Sequence, residues 1–249
     1  MKMFKKVAIV SVMMLGMVVS MGSAAMAAME VEVAAYAGVF DKYLWRGFDL
    51  SGSEPVAQGG VDVTAGSFTL SLWSNVQLSD DVAEGLDGGE VNETDITLDY
   101  STDLNDLVSL SVGNVTYAIA SADDTNEAYL TVGLNTLLNP SVSVNWDWDQ
   151  ADEDGLFYVL AIGHDFNVSD ALTVSLSANA GYNQKNYSVD ETYSAWHNAE
   201  FGVNADYALS EQLSLSPSFV YSTPLSDDAK DVAGIDDEMA AGLTVNFTF

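Results

Sequence analysis

The 249-residue chain carries 37 acidic against 7 basic side chains, a formal net charge of −30 at pH 7, and no cysteine. Nucleic acid is excluded as a partner, because phosphate binding needs clustered Lys and Arg, and a disulfide framework is excluded outright. At 48% hydrophobic and 10% aromatic residues the chain is too apolar to stay disordered through its charge, so a folded domain is expected.

The first residues carry a targeting signal. Met1-Lys2-Met3-Phe4-Lys5-Lys6 is a positive leader, Val7 to Met21 is an apolar stretch, and Ala25-Met26-Ala27 fits a small-residue cleavage site. Residues 1–27 therefore read as a cleaved secretory signal peptide and residues 28–249 as the mature domain. The alternative, an uncleaved anchor, has an apolar stretch short of the ~20 residues that a helical span requires. Without Lys2, Lys5 and Lys6 the basic residues are Lys42, Arg46, Lys185 and Lys230.

Beyond the signal, apolar and polar residues alternate with period two, the mark of half-buried strands. No apolar run of ~18 residues follows, so helical membrane spans are excluded. About twelve alternating segments are predicted, at 31–46, 56–64, 67–77, 92–102, 107–118, 126–134, 140–148, 156–166, 171–182, 194–208, 212–222 and 239–249. Most are near the 9–11 residues of a tilted membrane strand. The segment 107–118 changes phase near Gly113-Asn114, which predicts a bulge.

The connections alternate in length. Short ones fall at 65–66, 103–106, 135–139, 167–170 and 209–211, and long ones at 47–55, 78–91, 119–125, 149–155, 183–193 and 223–238. Asn105-Asp106-Leu107, Ser169-Asp170-Ala171-Leu172 and Ser210-Glu211-Gln212-Leu213 repeat one turn device before a Leu/Val–Ser strand. Short turns on one rim and long loops on the other are the pattern of an outer-membrane barrel. A soluble lipocalin-like barrel or sandwich has no reason to sort its loops. The predicted fold is an all-β, antiparallel, up-and-down transmembrane barrel of about twelve strands in the outer membrane of a Gram-negative cell, reached through the periplasm. The long loops hold many of the acids, among them Asp80, Asp81, Glu84, Asp87 and Glu90, and Asp227, Asp228, Asp231, Asp236, Asp237 and Glu238.

Strand phase assigns side chains to faces. Asp62, Asp95, Asp99, Asp147, Glu200 and Asp206 are expected to face the lumen, where acids favour cations. Arg46, the sole arginine, and Lys42 share the luminal face, paired with these acids, whereas Tyr43 and Trp45 are expected in the aromatic girdle. Trp146 and Trp148 are expected toward lipid or in the girdle. Asp149, Asp152 and Asp154 form an acidic loop suited to loose divalent binding, with lipopolysaccharide phosphates as bridging partners, but the glutamate of an EF-hand is missing. Phe249 ends an alternating strand and is expected to be read by the barrel-assembly machinery. The only histidines, His164 and His197, lack a neighbouring nucleophile, and no G-x-S-x-G element occurs, so no enzyme and no cofactor are expected.

Asp41 to Gly47, with Arg46-Gly47 at its end, is followed by Pro55, by Gln58-Gly59-Gly60-Val61-Asp62, and by Trp73-Ser74-Asn75-Val76. These elements resemble the TorF family, also called Gcw_chp, whose members open with Tyr-x-x-Arg-Gly, Pro-x-x-Gln-Gly-Gly and Gly-x-Trp-x-Ser-Asn elements. The third departs here, since Ser71-Leu72-Trp73-Ser74-Asn75 lacks the Gly and one spacer. The resemblance implies an outer-membrane barrel of about this size and leaves its cargo open.

The reading that follows is passive diffusion of small solutes, with a preference for cations, through a narrow barrel lying in outer-membrane lipid. Its rival is a plugged structural or surface barrel whose acidic loops bind divalent cations, lipopolysaccharide or a partner.

Overall fold

The computed structural model describes residues 31–80, 86–120 and 122–249. The expected signal peptide at 1–27, and Asp81 and Glu84 of the 78–91 loop, lie outside the described residues. The strands in chain order are β1 (Val31–Phe40), β2 (Leu44–Trp45), β3 (Phe48–Asp49), β4 (Val56–Ala65), β5 (Phe68–Gln77), β6 (Val91–Asp103), β7 (Val108–Ile119), β8 (Thr125–Leu134), β9 (Ser141–Asp147), β10 (Leu156–Ser169), β11 (Leu172–Gln184), β12 (Ser194–Ala208), β13 (Leu213–Pro224) and β14 (Glu238–Thr248). A short helix, α1 (Asp227–Asp231), sits in the last long loop, capped by the Ser226 side chain, which accepts from the Ala229 amide.

β1 and β4 to β14 form a closed antiparallel barrel in which each strand pairs with its sequence neighbours. β1 closes the ring, with Ala37 opposite Val245 of β14 and opposite Gly59 of β4. Closure leaves no unpaired edge, which a strand structure needs wherever water is absent.

The alternation in sequence becomes two faces with different solvents. Outward side chains such as Val61, Leu72, Val112, Leu130, Ile162, Leu176, Val203 and Val245 are 40–48% exposed and form a continuous apolar belt. A water-soluble domain does not present such a belt, and a lipid-facing wall does. Inward positions carry Ser, Thr, Asn and Gly, joined by cross-strand hydrogen bonds such as Thr64–Thr69 (2.9 Å) and Thr131–Ser143 (2.6 Å). The interior is therefore polar toward the short-turn rim.

The short turns share one rim, and the three similar ones work alike. The Asn105 side chain accepts from the Leu107 and Val108 amides, Ser169 from Ala171, and Ser210 from Gln212 and Leu213. A short polar side chain thus satisfies the amides that the reversal leaves free.

Two expectations are corrected. The segment 31–46 is not one wall strand: β1 stops at Phe40 and the chain turns into the barrel mouth. No bulge occurs at Gly113-Asn114, since β7 runs in unbroken register with β6 (Asp99↔Gly113, Leu98↔Asn114) and with β8 (Gly113↔Tyr129). Asn114 stays on the outer face, where it accepts from Trp148 Nε1 (2.8 Å), so the polar residue marks a change in what that face contacts and not a change of phase. Register shifts lie instead at Asn75/Val76, Asn167/Ser169 and Ala180/Tyr182. Trp146 and Trp148 lie about half exposed on the outer wall.

Leu72→Arg places a charge on the lipid-facing wall and is expected to cost about 2–4 kcal/mol if that position lies near the midplane. Urea titration of the barrel refolded into liposomes measures this, with the inward Ser71→Ala expected to change stability by less than about 0.5 kcal/mol.

Candidate functional site

The site is a hairpin folded into the long-loop mouth of the barrel. β2 and β3 pair through Leu44↔Asp49 and Trp45↔Phe48, leaving Arg46 and Gly47 as a two-residue turn. Both have positive φ, 47° and 85°, as a type I′ hairpin requires. Gly47 fits for a second reason: a Cβ there would press against the Ile235 and Asn198 side chains.

The hairpin turns inward because its aromatic residues find apolar cover there. Tyr43 packs on Trp73 with ring centroids 5.6 Å apart, Trp45 meets Tyr117 edge-on at 6.1 Å, and Phe48 lies 5.4 Å from His197. Tyr43 is only 8% exposed. Tyr43 and Trp45 are therefore not girdle aromatics, as strand phase predicted. That phase ceased to apply where β1 ended at Phe40.

Arg46 anchors the tip. Its guanidinium makes two parallel bonds to Glu127, at 2.9 and 2.7 Å, and lies over the Trp45 and Phe157 rings at 4.3 and 4.4 Å. The Asn186 amide donates to the same carboxylate at 2.9 Å and the Tyr117 hydroxyl does so at 3.2 Å. Burial disfavours the charge on Arg46, but Glu127 outweighs it and holds the guanidinium pKa above its ordinary value. The Arg46 carbonyl is 2.8 Å from His197 Nε2, and a carbonyl accepts only, so Nε2 carries the proton; Nδ1 faces the Tyr193 hydroxyl.

A second clamp holds the hairpin base. Lys42 donates to Glu238 (2.6 Å) and lies 3.4 Å from Asp49. The Glu238 hydrogen bond raises the Lys42 pKa against the effect of burial. For Asp49, burial raises the pKa, but the Ser53 hydroxyl, the Ser51 amide and Lys42 together bring it below 3.8.

The predicted luminal acids all lie on inward positions but in different surroundings. Asp99 accepts from Ser101, Ser111 and Tyr129, and Asp206 from Ser214 and Ser216. Glu200 accepts from Asn179 and Asn198. Asp147 is 1% exposed and holds the following loop by accepting from Thr125 and from the amides of Asp149, Gln150 and Ala151. Asp62 lies opposite Ala34 and Ser71, and Asp95 opposite Trp73 and Tyr117; Asp95 has one buried oxygen without a hydrogen-bond partner. Asp149 accepts from Asn126, the Asp152 amide donates to Glu191, and Asp154 sits at a left-handed turn with φ 23°. Among the described residues no group of three or more His, Cys, Asp or Glu is placed to hold a metal ion.

The motif residues surround the hairpin. The Pro55 carbonyl accepts from Leu78, Gln58 donates to Asn75 (3.1 Å), and Asn75 donates to Asn92 (2.7 Å). Gly59 lies against the backbone of Tyr36, and the Tyr36 ring fills the space beside Gly60. Trp73 supports Tyr43, while Ser74 faces outward and bonds Thr94.

Sequence reasoning missed Glu127, Glu93 and Asn186. The phase of β8 carried a signal for Glu127, which shares the inward face with Tyr129 and Thr131. His164 is an outer-face residue near the short-turn rim, with Nδ1 2.7 Å from the Leu137 carbonyl.

Residues 24–243 match the family model described as "Bacterial protein of unknown function (Gcw_chp)". This chain belongs to the Gcw_chp family. No curated protein matches its sequence. Solved barrels share the fold. The NanC porin is 14% identical with a TM-score of 0.54, covering 86% of this chain and 98% of its own. The KdgM porin is 11% identical at 0.54, covering 88% and 99%. The COG4313 outer membrane channel from Pseudomonas putida F1 is 13% identical at 0.54, covering 89% and 95%. The arginine-glycine turn of this Gcw_chp chain thus sits in a barrel of porin-like architecture.

Glu127→Ala leaves Arg46 buried and unpaired and is expected to destabilise the folded barrel by about 3–5 kcal/mol, read from denaturant unfolding. The Asp49 contribution has the sign of a depressed carboxylate: it is fully present above the ordinary value of 3.8 and is lost as pH falls through the lower folded value. Hydrogen exchange of the hairpin amides is therefore expected to be unchanged, after correction for intrinsic rates, between pH 7 and 5, and to accelerate below 3.8.

Proposed function

We propose that this chain is an outer-membrane, porin-like channel through which small solutes diffuse passively, with a preference for cations. The charge inventory carries the reading. The basic residues of the described chain are Lys42, Arg46, Lys185 and Lys230, and each stands in a salt bridge with an acid. Asp62, Asp99, Glu200 and Asp206 line the wall with no free positive charge to offset them, and such a wall concentrates cations. The apolar outer belt supports the membrane location. The names of the solved barrels of like fold, porins and an outer membrane channel, support the transport role.

The hairpin favours a second reading, because Arg46 and its neighbours occupy the mouth. On that reading the barrel is plugged, and its acidic loops contact divalent cations, lipopolysaccharide or a partner. Export by a cleaved signal peptide and insertion by the barrel-assembly machinery belong to either reading. Phe249 stacks edge-on with Phe247 and is 69% exposed, available to such a machine. Deleting Phe249 is expected to lower the fraction of chain recovered in the outer membrane, and unchanged recovery would remove that role.

Planar-bilayer recording of the refolded mature chain under a KCl gradient decides between channel and plug. Discrete steps with a reversal potential favouring K⁺ are expected, and Asp62→Asn and Asp99→Asn are each expected to move it toward zero. A folded but silent barrel would overturn the channel.

A further inference from the structure

A cavity opens beside the hairpin on the long-loop side and shares Trp45 and Tyr117 with the Arg46 anchor. It has a volume of about 370 Å³, within the range of small-molecule pockets. Its walls bring together Trp45 and Leu50 of the hairpin segment, Tyr117 of β7, Tyr187 of the 185–193 loop, Glu93 of β6 and Asp123 of the 120–124 loop. These residues come from five separate stretches of chain, so closing the barrel and folding the hairpin inward create the cavity.

The chemistry of the lining is uneven. Three aromatic rings with Leu50, Ile119 and Ala122 supply most of the surface, and two acidic side chains, Glu93 and Asp123, are the ionisable groups other than the tyrosines. Glu93, 8% exposed, lies deep, and Asp123 is exposed at the outside. None of the described lining residues is basic. Arg46 covers a face of Trp45, but Glu127 neutralises it through both carboxylate oxygens. Toward the lumen, Asp95 follows Glu93 on the same strand face and keeps one buried oxygen without a hydrogen-bond partner, so the polar lining continues inward from the cavity.

Electron-rich ring faces beside a carboxylate bind a cation that carries apolar substituents, since the rings attract the charge and the alkyl groups leave water. A bare divalent ion fits poorly. It needs several oxygens converging at bonding distance, and no such group exists among the described residues. An anion meets only carboxylates. We infer that this cavity is a binding site for a small organic ammonium ion on the outer side of the barrel. The inference deepens the cation-preferring reading above by naming a class of cation, but it concerns binding and does not need an open pore.

The test is isothermal titration of the refolded full barrel in detergent micelles, with choline as the probe and 3,3-dimethylbutan-1-ol as its neutral counterpart of the same shape. Choline is expected to bind, and the alcohol about tenfold more weakly or less. Glu93→Gln and Tyr187→Ala are each expected to weaken choline by about tenfold, with folding checked by the heat-dependent gel migration of an intact barrel. If Glu93→Gln does not fold, Tyr187→Ala on the loop carries the test alone. Absence of choline binding by the unaltered barrel, equal binding of the two probes, or undiminished binding by the folded variants would overturn the site. A barrel that binds choline yet passes no current would retain the site and lose the channel; one that conducts K⁺ but ignores choline would do the reverse.

Discussion

Arg46 and Glu127 are 81 residues apart in sequence and meet through two parallel hydrogen bonds inside the barrel mouth. A guanidinium removed from water is tolerated only when its donors and its charge are matched, and a planar carboxylate matches both at once. The rest of the mouth is organised around that pair. Asn186 reaches Glu127 from the long loop after β11, Tyr117 reaches it from β7, and His197 on β12 donates to the Arg46 carbonyl. One long loop and three wall strands are thereby tied to the hairpin tip. The left-handed backbone of Arg46, unfavourable for a residue with a side chain, persists because these contacts determine it from several sides.

The wall can support such an interior because it meets its own hydrogen-bonding needs. A closed antiparallel ring pairs its backbone donors and acceptors along every strand, so the inner side chains need not form an apolar core. They form hydroxyl and amide networks instead, and carboxylates such as Asp99 and Asp206 sit among hydroxyl donors that stabilise them without a basic partner. That arrangement leaves the negative charge of the lumen uncancelled. Such a field acts on whatever enters, whether the hairpin leaves a path or closes it.

The motif residues take on a physical meaning in this setting. Arg46-Gly47 is the tip of the hairpin, Gly60 leaves room for the Tyr36 ring, Trp73 carries Tyr43, and Gln58 with Asn75 forms an amide chain on the wall beneath. Elements that look independent along the chain are parts of one packing problem.

The alternation of residues such as Leu243, Val245 and Phe247 with Thr244, Asn246 and Thr248 determined the strands by itself, because a period of two can satisfy lipid on one side and water on the other only as a strand. The unequal connections determined that the sheet has two different rims. Local alternation could not tell that β1 ends at Phe40. Tyr43 and Trp45 continue a plausible wall pattern, and their burial depends on Trp73 and Tyr117, which only closure brings near. The phase of β7 was misread for a similar reason: Asn114 points outward toward Trp148, a partner from a distant loop. The acids could be assigned to the inner face from sequence, but their surroundings could not, since Asp147 is enclosed by its own loop while Asp95 keeps an oxygen unpaired. Burial and pairing depend on which strands stand opposite one another, and that is a property of the closed barrel.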